Sequence, residues 1–309
     1  MEDVGKEMTK VINQRDWSER FDKLVQEVLK DPDVISFIEA HKEQLTKEDI
    51  DKSYSKLYEF VQEKRKFKLN EPTMIAPGYE PKLFMNFHYI DVTYVPTEAL
   101  LARQKEEEIR GRVKAMDMPR DIREASMDHF EITAERKEAL QGAFDFVSKY
   151  RENPKHFHQG LYLQGSFGVG KTYLLGALAQ ELAEYGYRTT LMHFPTFAVE
   201  MKQSIAQNTT GDKLDAVKKA PILMLDDIGA DSMSSWIRDD VLGVILQYRM
   251  QEQLPTFFSS NFSMNQLEKE HLSVTQRGED EPLKAKRIME RIRYLAREIN
   301  MIGENRRQH

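Results

Sequence analysis

Cysteine is absent from the 309-residue chain, so it can form no disulfide, thiol nucleophile or cysteine–zinc site, and we expect it in a reducing cytoplasm. Long apolar runs are also missing. The longest are of the size of residues 222–225, far short of the roughly 20 residues that a membrane-spanning helix needs. Basic charge is not in excess, since 45 Lys and Arg stand against 51 Asp and Glu. The net charge of −6 argues against a protein that coats nucleic acid by bulk electrostatics, but it allows a local basic track.

The first third of the chain has helical patterning. Apolar residues recur at helical spacing in 21–29, and Thr46 with the Lys-Glu-Asp that follows it has the form of a capping box. An apolar stripe in 50–61 predicts a further helix behind this box. Prolines then interrupt the pattern, and 83–87 and 90–95 together predict a short β-hairpin.

The rest of the chain alternates short apolar strands with amphipathic helices, which is typical of an α/β domain built on a parallel sheet. The predicted strands are 161–163, 189–192, 222–225, 256–260 and an edge near 299–301. We therefore expect a parallel sheet flanked by helices, preceded by a mostly helical N-terminal domain with a small β-hairpin. The expected boundaries are 1–115 for the N-terminal domain, 116–130 for a linker of mixed charge, and 131–309 for the C-terminal domain.

A glycine-rich segment at 165–172 fits the spacing G-x-x-x-x-G-K-[ST]. Its glycines let backbone amides wrap a phosphate, and the helix behind them directs the positive end of its dipole at the same charge. Lys171 is expected to reach the β- and γ-phosphate oxygens, and the Thr172 hydroxyl to coordinate Mg²⁺. A predicted strand before the segment and an apolar helix after it supply the context that an ATP or ADP site requires. The residues expected to bind the nucleotide are Gly165, Ser166, Gly168, Val169, Gly170, Lys171 and Thr172.

Further polar residues follow two of the predicted strands. The strand 222–225 ends in Asp226 and Asp227, at the edge where α/β sheets bind ligands. We expect Asp226 to hold Mg²⁺, directly or through water, and Asp227 to orient or deprotonate the attacking water. Asn261 follows the strand 256–260 and is expected to hold the same water against the γ-phosphate. Asp and Asn at strand ends are also common turn formers, and the upstream phosphate loop is what favours the catalytic interpretation.

Two arginines, Arg287 and Arg291, lie four residues apart and share one face of a helix predicted at 283–299. An arginine offered across a subunit boundary stabilises the charge on a transferred phosphoryl group and raises the rate by roughly 10³–10⁵. A solvated basic face that forms salt bridges within the helix explains the same two residues from sequence alone.

Together these motifs resemble those of the AAA+ ATPases, and specifically of bacterial replicative-helicase loaders of the DnaC/DnaI type. The likeness spans the C-terminal two-thirds of the chain and is carried by 165–172, 225–230, 236–239, 254–262, 276–279, 288–292 and 303–307. It implies an AAA+ P-loop ATPase, weak in isolation and stimulated by its partners. The implied function is to load the hexameric replicative DNA helicase onto single-stranded DNA during initiation or restart of replication.

The resemblance also implies partners and roles. The N-terminal domain would dock on the helicase, the AAA+ domains would self-associate and bind single-stranded DNA, and other primosome proteins would be partners, but no membrane would be. Asn261 matches the family's sensor position, and Arg291 lies where its trans-acting finger is found. A helical insertion is implied at 195–220, where Phe197 and Lys202 are candidates for gripping an unpaired strand. An aromatic on an amphipathic helix is more often part of a core.

One feature departs from the family. Some members hold the N-terminal domain together with zinc on cysteines and a histidine, whereas 67–97 offers only His88. Four-coordinate structural zinc needs four good ligands, so we expect no zinc here. We expect apolar side chains, among them Leu83, Phe87 and Ile90, to hold the hairpin instead.

Two other functions stay open from the sequence. A transposition-helper AAA+ ATPase would remodel duplex DNA, and its N-terminal region should be a basic DNA-binding module. Here acidic and basic residues mix throughout 1–94, which favours a protein partner. A nucleotide-switched adaptor with negligible hydrolysis is the other alternative, and a rate measurement separates it from an ATPase.

Overall fold

A computed structural model describes residues 23–230, 233–273 and 281–306. The chain divides into two compact units, with the boundary between Glu106 and Glu107. Three parts of the patterns named above lie outside the described residues, namely Phe21, the segment 276–279 and Arg307. No helix in the described part is both long and apolar enough to cross a membrane.

The first unit is mostly helical in its described part, as predicted. Its helices are α1 (residues 23–29), α2 (Pro32–Ala40), α3 (Lys47–Lys52), α4 (Tyr54–Leu69) and α5 (Glu98–Arg112), which contains the boundary. Asp31 caps α2 by accepting a hydrogen bond from the backbone N–H of Asp33 at 2.9 Å. Thr46 and Asp49 form the predicted capping box of α3. The predicted stripe 50–61 is divided at Ser53 between α3 and α4.

The predicted hairpin is also present in this unit. β1 (Tyr79–Asn86) pairs antiparallel with β2 (Tyr89–Pro96) through a two-residue turn. Phe87 occupies this turn with φ of 56°, and its side chain is 91% exposed. Our expectation that Phe87 helps to hold the hairpin was therefore wrong, because a side chain at the tip of the turn projects beyond the core. Ile90 does so instead, buried in one cluster with Leu57.

The second unit alternates strands and helices. Its elements are β3 (Val113–Met116), α6 (Arg120–Arg123), α7 (Lys137–Glu152), β4 (Gly160–Gln164), α8 (Lys171–Glu184), β5 (Thr189–His193), α9 (Phe194–Ala206), α10 (Thr210–Lys218), β6 (Ile222–Asp226), α11 (Gly243–Gln251), β7 (Thr256–Ser260), α12 (Met264–Gln266), α13 (Pro282–Leu295) and β8 (Ala296–Asn300). π-Helical segments, Ile237–Leu242 and Leu267–Leu272, precede α11 and follow α12.

Six strands form one parallel sheet in the order β3-β5-β6-β7-β4-β8. This architecture confirms the predicted α/β fold, and the five predicted strands are all present. Alternate residues of β6 enter opposite cores, with Ile222 and Met224 in one cluster and Leu223 and Leu225 in the other. Burial on both faces explains why these strands are continuous apolar runs in the sequence. Because the strands are parallel, their carboxyl ends meet at one edge.

We predicted that the segment 116–130 connects the two domains, but the boundary between the two units lies earlier, between Glu106 and Glu107. Met118, Ile122 and Phe130 are buried in the core of the second unit, and β3 just before them forms an edge of its sheet. Most of the segment folds as turns around the short helix α6, so its apolar residues have no helical or alternating period. A linker interpretation from weak periodicity fails for this reason.

Candidate functional site

The glycine-rich loop connects β4 to α8, and its glycines are sterically required. Gly168 and Gly170 have φ of 78° and 96°, in the left-handed region that favours glycine. A Cβ at Gly168 would lie 1.9 Å from Asn305 Oδ1, and one at Gly170 would lie 2.3 Å from Arg136 Nη2. Val169 is 1% exposed and anchors the loop in the core.

Lys171 begins α8 and is 7% exposed. Its ammonium donates to the carbonyl oxygen of Gly165 at 2.7 Å, to that of Ser166 at 2.9 Å and to Asn261 Oδ1 at 2.8 Å. These bonds hold the charge inside the loop at the positive end of the α8 dipole. A cation and a helix N-terminus arranged in this way are suited to binding a phosphate.

Thr172 and Asp226 lie together at the edge of the sheet. Thr172 Oγ1 donates to Asp226 Oδ1 at 2.8 Å, and Ser259 Oγ donates to the same oxygen at 2.5 Å. Burial raises the pKa of the Asp226 carboxyl. Hydroxyl and carboxylate oxygens suit Mg²⁺, which also takes phosphate oxygens and water as ligands. The described residues include no group of three or more His, Cys, Asp or Glu arranged to hold a metal ion.

Asp227 and Asn261 lie beside Asp226 at the same edge of the sheet, which we call the acidic edge. Asp227 follows β6 with φ of 59°, and its backbone N–H donates to Ser259 Oγ at 2.9 Å. Asn261 Nδ2 donates to Asp227 Oδ1 at 3.1 Å, while its Oδ1 accepts from Lys171. Asn261 thus connects the ammonium of the loop to the carboxylate at the sheet edge, and residues predicted from three separate motifs lie together.

His193 adds a group that the sequence predictions do not include. It ends β5 opposite Asp226 in the register, and its Nε2 lies 3.8 Å from Asp227 Oδ2. Interaction with Asp227 raises the pKa of His193. Nδ1 lies 2.8 Å from Thr196 Oγ1. The position of His193 at the carboxyl end of a predicted strand is the signal that could have identified it.

The cavity beside the loop has a volume of about 720 Å³, and one of its walls is basic. Arg136 and Arg306 line this wall together with Glu131, whose carboxylate forms an ion pair with Arg306. The backbone N–H of Arg306 donates to the carbonyl of Gly168 at 3.1 Å, so the chain after β8 passes over the loop. Arg306 lies in 303–307, one of the segments that carry the family resemblance. No local pattern places these residues at the site, however, because they come from distant parts of the chain and only the fold brings them to the motif.

Six predicted site residues are not among those that line this cavity, and three of them, Gly165, Ser166 and Val169, belong to the loop itself. The other three lie elsewhere in the second unit. Arg291 Nη1 donates to the carbonyl of Gly243 at 2.8 Å, and a role at the site of a neighbouring copy stays a prediction. Lys202 is exposed on α9, where a contact with DNA stays a prediction. Phe197 is 2% exposed in a core cluster with Phe194. The structure corrects the stacking role predicted for Phe197, because a base cannot stack on a buried ring.

Comparisons with known proteins match both parts of the chain to described families. Residues 1–94 match the family described as primosomal protein DnaI N-terminus. Residues 90–309 match the family of IstB-like ATP-binding proteins. The second match contains the whole phosphate loop and the acidic edge, so binding of ATP is a property of the family that has these residues.

Individual relatives agree with the family matches. The replicative helicase loader DnaI of Bacillus subtilis strain 168 is 41% identical over an alignment of 314 positions, which covers 99% of this chain and 99% of that protein. A crystal structure of DnaI covers 64% of this chain and 99% of its own, with a TM-score of 0.56 and 47% identity. A Streptococcus pyogenes serotype M3 structure described as a primosome component covers 66% of this chain and 100% of its own, with a TM-score of 0.55 and 44% identity.

Proposed function

The chain belongs to the family of DnaC/DnaI-type replicative-helicase loaders, and we propose on this premise that it loads the hexameric replicative helicase onto single-stranded DNA when replication starts or restarts. The strongest support is the similarity to a replicative helicase loader along almost the whole chain. A likeness confined to the ATP-binding region would suit a transposition helper equally well. The first 94 residues instead match a primosomal protein, which favours the loader.

The nucleotide chemistry proposed for this chain takes place at the carboxyl edge of the sheet. The loop amides and Lys171 bind the β- and γ-phosphates. Thr172 and Asp226 would hold Mg²⁺, which neutralises phosphate charge when it is bound. Asp227 orients the attacking water and accepts its proton. The side-chain amide of Asn261 keeps Asp227 and Lys171 in place through its hydrogen bonds to both.

Hydrolysis is proposed to be weak in the isolated chain and stimulated by partners. Arg291 lies outside the cavity of its own chain, so it can stabilise a transferred phosphoryl group only at the site of a neighbouring copy. Association of AAA+ domains would therefore complete the site. An adaptor with negligible turnover would show no such stimulation when copies assemble.

The remaining assignments follow the division of the chain. We assign the helicase contact to the N-terminal region and the single-stranded DNA contact to the AAA+ region, where Lys202 is exposed. Other primosome proteins are expected to bind the same assembly in the cytoplasm. A DNA contact through a phosphate backbone would weaken with added salt.

The decisive experiment is co-elution with the replicative helicase of the same organism on a sizing column, with and without ATP. Phosphate release is then followed with the helicase, with single-stranded DNA, and with both. We expect a complex with the helicase and a changed rate when DNA and helicase are added. The Lys171→Ala variant is the control for dependence on nucleotide. Absence of a complex, together with an unchanged rate on adding either partner, would overturn the loader proposal.

A further inference from the structure

Arg136 combines deep burial with unused hydrogen-bonding capacity. It is 3% exposed, although it lines the nucleotide cavity. Its Nη1 donates to the carbonyl oxygen of Glu131 at 2.8 Å, whereas its Nε is buried without a hydrogen-bond partner in the described part of the chain. Leaving a donor of a charged group unpaired in a protein interior is costly. Such a group calls for an explanation, and one explanation is a ligand that is not always bound.

The position of Arg136 points to an anion as that ligand. Nη2 lies against the phosphate loop, within 2.3 Å of the place that a Cβ on Gly170 would occupy. The guanidinium also stacks on Phe130, with its central carbon 4.0 Å from the ring centroid, and this contact fixes its plane.

The charges around Arg136 leave its own charge only partly compensated. Burial and the nearby Arg306 both lower the pKa of Arg136, and Glu131 offsets this only in part. The carboxylate of Glu131 is itself engaged by Arg306. A polyanion bound in the loop would compensate both guanidinium groups at once.

We propose that Arg136 is a nucleotide-binding residue that donates hydrogen bonds to a phosphate oxygen of bound ATP or ADP, as a second cation beside Lys171. This inference rests on the proposed ATP site. A phosphate partner fits better than the sugar or the base, because Arg136 lies against the loop whose amides bind phosphate. A guanidinium with several donors in a fixed plane also pairs well with phosphate oxygens. The contribution of Arg136 to nucleotide affinity is therefore expected to depend on the phosphates and not on the sugar or the base.

The test measures the affinity of four proteins for three nucleotides by calorimetry in Mg²⁺ buffer. The proteins are the wild type, Arg136→Met, Arg136→Lys, and Arg120→Met as a matched control. Arg120 suits this purpose because it is a surface arginine that pairs with Glu124, with its side chain 81% exposed. The nucleotides are ADP, 2′-deoxy-ADP and inosine diphosphate, which share the diphosphate and differ in sugar or base.

We expect Arg136→Met to weaken ADP binding by about 10–100-fold, the usual range for losing hydrogen bonds between charged groups. The factor should be the same for the two altered nucleotides. The ADP affinity of Arg136→Lys should lie between those of the wild type and Arg136→Met, because lysine keeps the charge but not the planar arrangement of several donors. Arg120→Met should match the wild type. Circular dichroism of each nucleotide-free protein checks folding, and if Arg136→Met does not fold, an Arg136→Lys loss of several-fold carries the test.

Two results would overturn the assignment of Arg136. One is wild-type ADP affinity in a folded Arg136 variant. The other is a loss seen with ADP that disappears when the sugar or base is altered, which would place the contact there instead. Either result leaves the proposed ATP site standing if the wild type binds ADP and Lys171→Ala does not. Failure of the wild type to bind any of the nucleotides would instead overturn the proposed function.

Discussion

Removing the side chain of Asn261 should separate ATP hydrolysis from ATP binding. In Asn261→Ala, Lys171 keeps the carbonyl oxygens of Gly165 and Ser166 as acceptors, so its ammonium stays in the loop. Asp227 loses the amide donor that lies 3.1 Å from its Oδ1. Its carboxylate keeps the neighbouring His193, whose Nε2 lies 3.8 Å from Oδ2, but is held less firmly in the position that orients water. The part of the site that binds phosphate is therefore preserved, whereas the carboxylate that orients water is less well positioned.

The size of the effect follows from the bonds that are lost. An amide hydrogen bond to an ionised carboxylate is worth about 1.5–3 kcal/mol, which corresponds to about 10–150-fold in kcat if it acts fully in the transition state. The Kd for ATP should change by less than about threefold, because phosphate oxygens replace the acceptor that Lys171 loses. Phosphate release at saturating ATP gives kcat, and calorimetry gives Kd. An unchanged kcat with ATP affinity reduced more than about tenfold would refute this reasoning.

The isosteric variant Asn261→Asp, unlike Asn261→Ala, should change the Kd for ATP. It places a second carboxylate next to Asp227 and beside Lys171, where Asn261 now makes hydrogen bonds of 3.1 and 2.8 Å. The added charge neutralises the lysine and repels the triphosphate, so we expect ATP affinity to fall by more than about tenfold. Equal effects of the Ala and Asp variants on Kd would contradict the bridging role of Asn261.

Three other side chains give predictions of their own. Arg291→Ala should leave the ATP affinity of the isolated chain unchanged and remove only assembly-dependent hydrolysis; loss of binding would contradict its role in trans. Arg249→Met should lower the free energy of unfolding by about 3–5 kcal/mol in urea titrations, because the fully buried guanidinium donates to Thr256 Oγ1 and to the carbonyls of Lys218, Ala220 and Pro255; a change under about 1 kcal/mol would contradict this. Burial acts to raise the pKa of Asp31, but hydrogen bonds from Lys64 at 2.6 and 2.8 Å outweigh it and lower that pKa. The contribution of this interaction to the free energy of unfolding is present above the unfolded pKa of about 3.9. It is lost as the pH falls through the lower pKa that Asp31 has in the folded protein. Asp31→Asn should therefore cost about 1 kcal/mol near neutral pH and nothing at acid pH, and a cost independent of pH would contradict the role of charge.

The phosphate loop and the acidic edge could be predicted because their signals are local. The glycines and Lys171 form one continuous motif, and Asp226 and Asn261 each follow a short segment that is typical of a buried strand. Parallel strands then bring their carboxyl ends together without further information. The observed bonds among Lys171, Asn261 and Asp227 are the structural consequence of that rule.

The basic wall could not be predicted, because its residues come together only through the tertiary fold. Arg136 and Arg306 are separated by most of the second unit, and neither belongs to a periodic pattern. The segment before Arg136 has the weak periodicity of a linker, yet Phe130 within it is 4% exposed. Burial of irregular turns leaves no period in the sequence. The prediction for Phe197 failed in the opposite way, because an aromatic residue that we expected to stack on a base is buried in the core.

Calorimetric titration of the wild-type chain with ATP in Mg²⁺ buffer, beside Lys171→Ala, tests most directly whether this site binds a triphosphate. We expect saturable binding to one site in the wild type and at least about 100-fold weaker binding in the variant, since the ammonium that the loop encloses is lost. No heat of binding with the wild type, or equal affinity in the two proteins, would contradict the assignment of the loop as a nucleotide site.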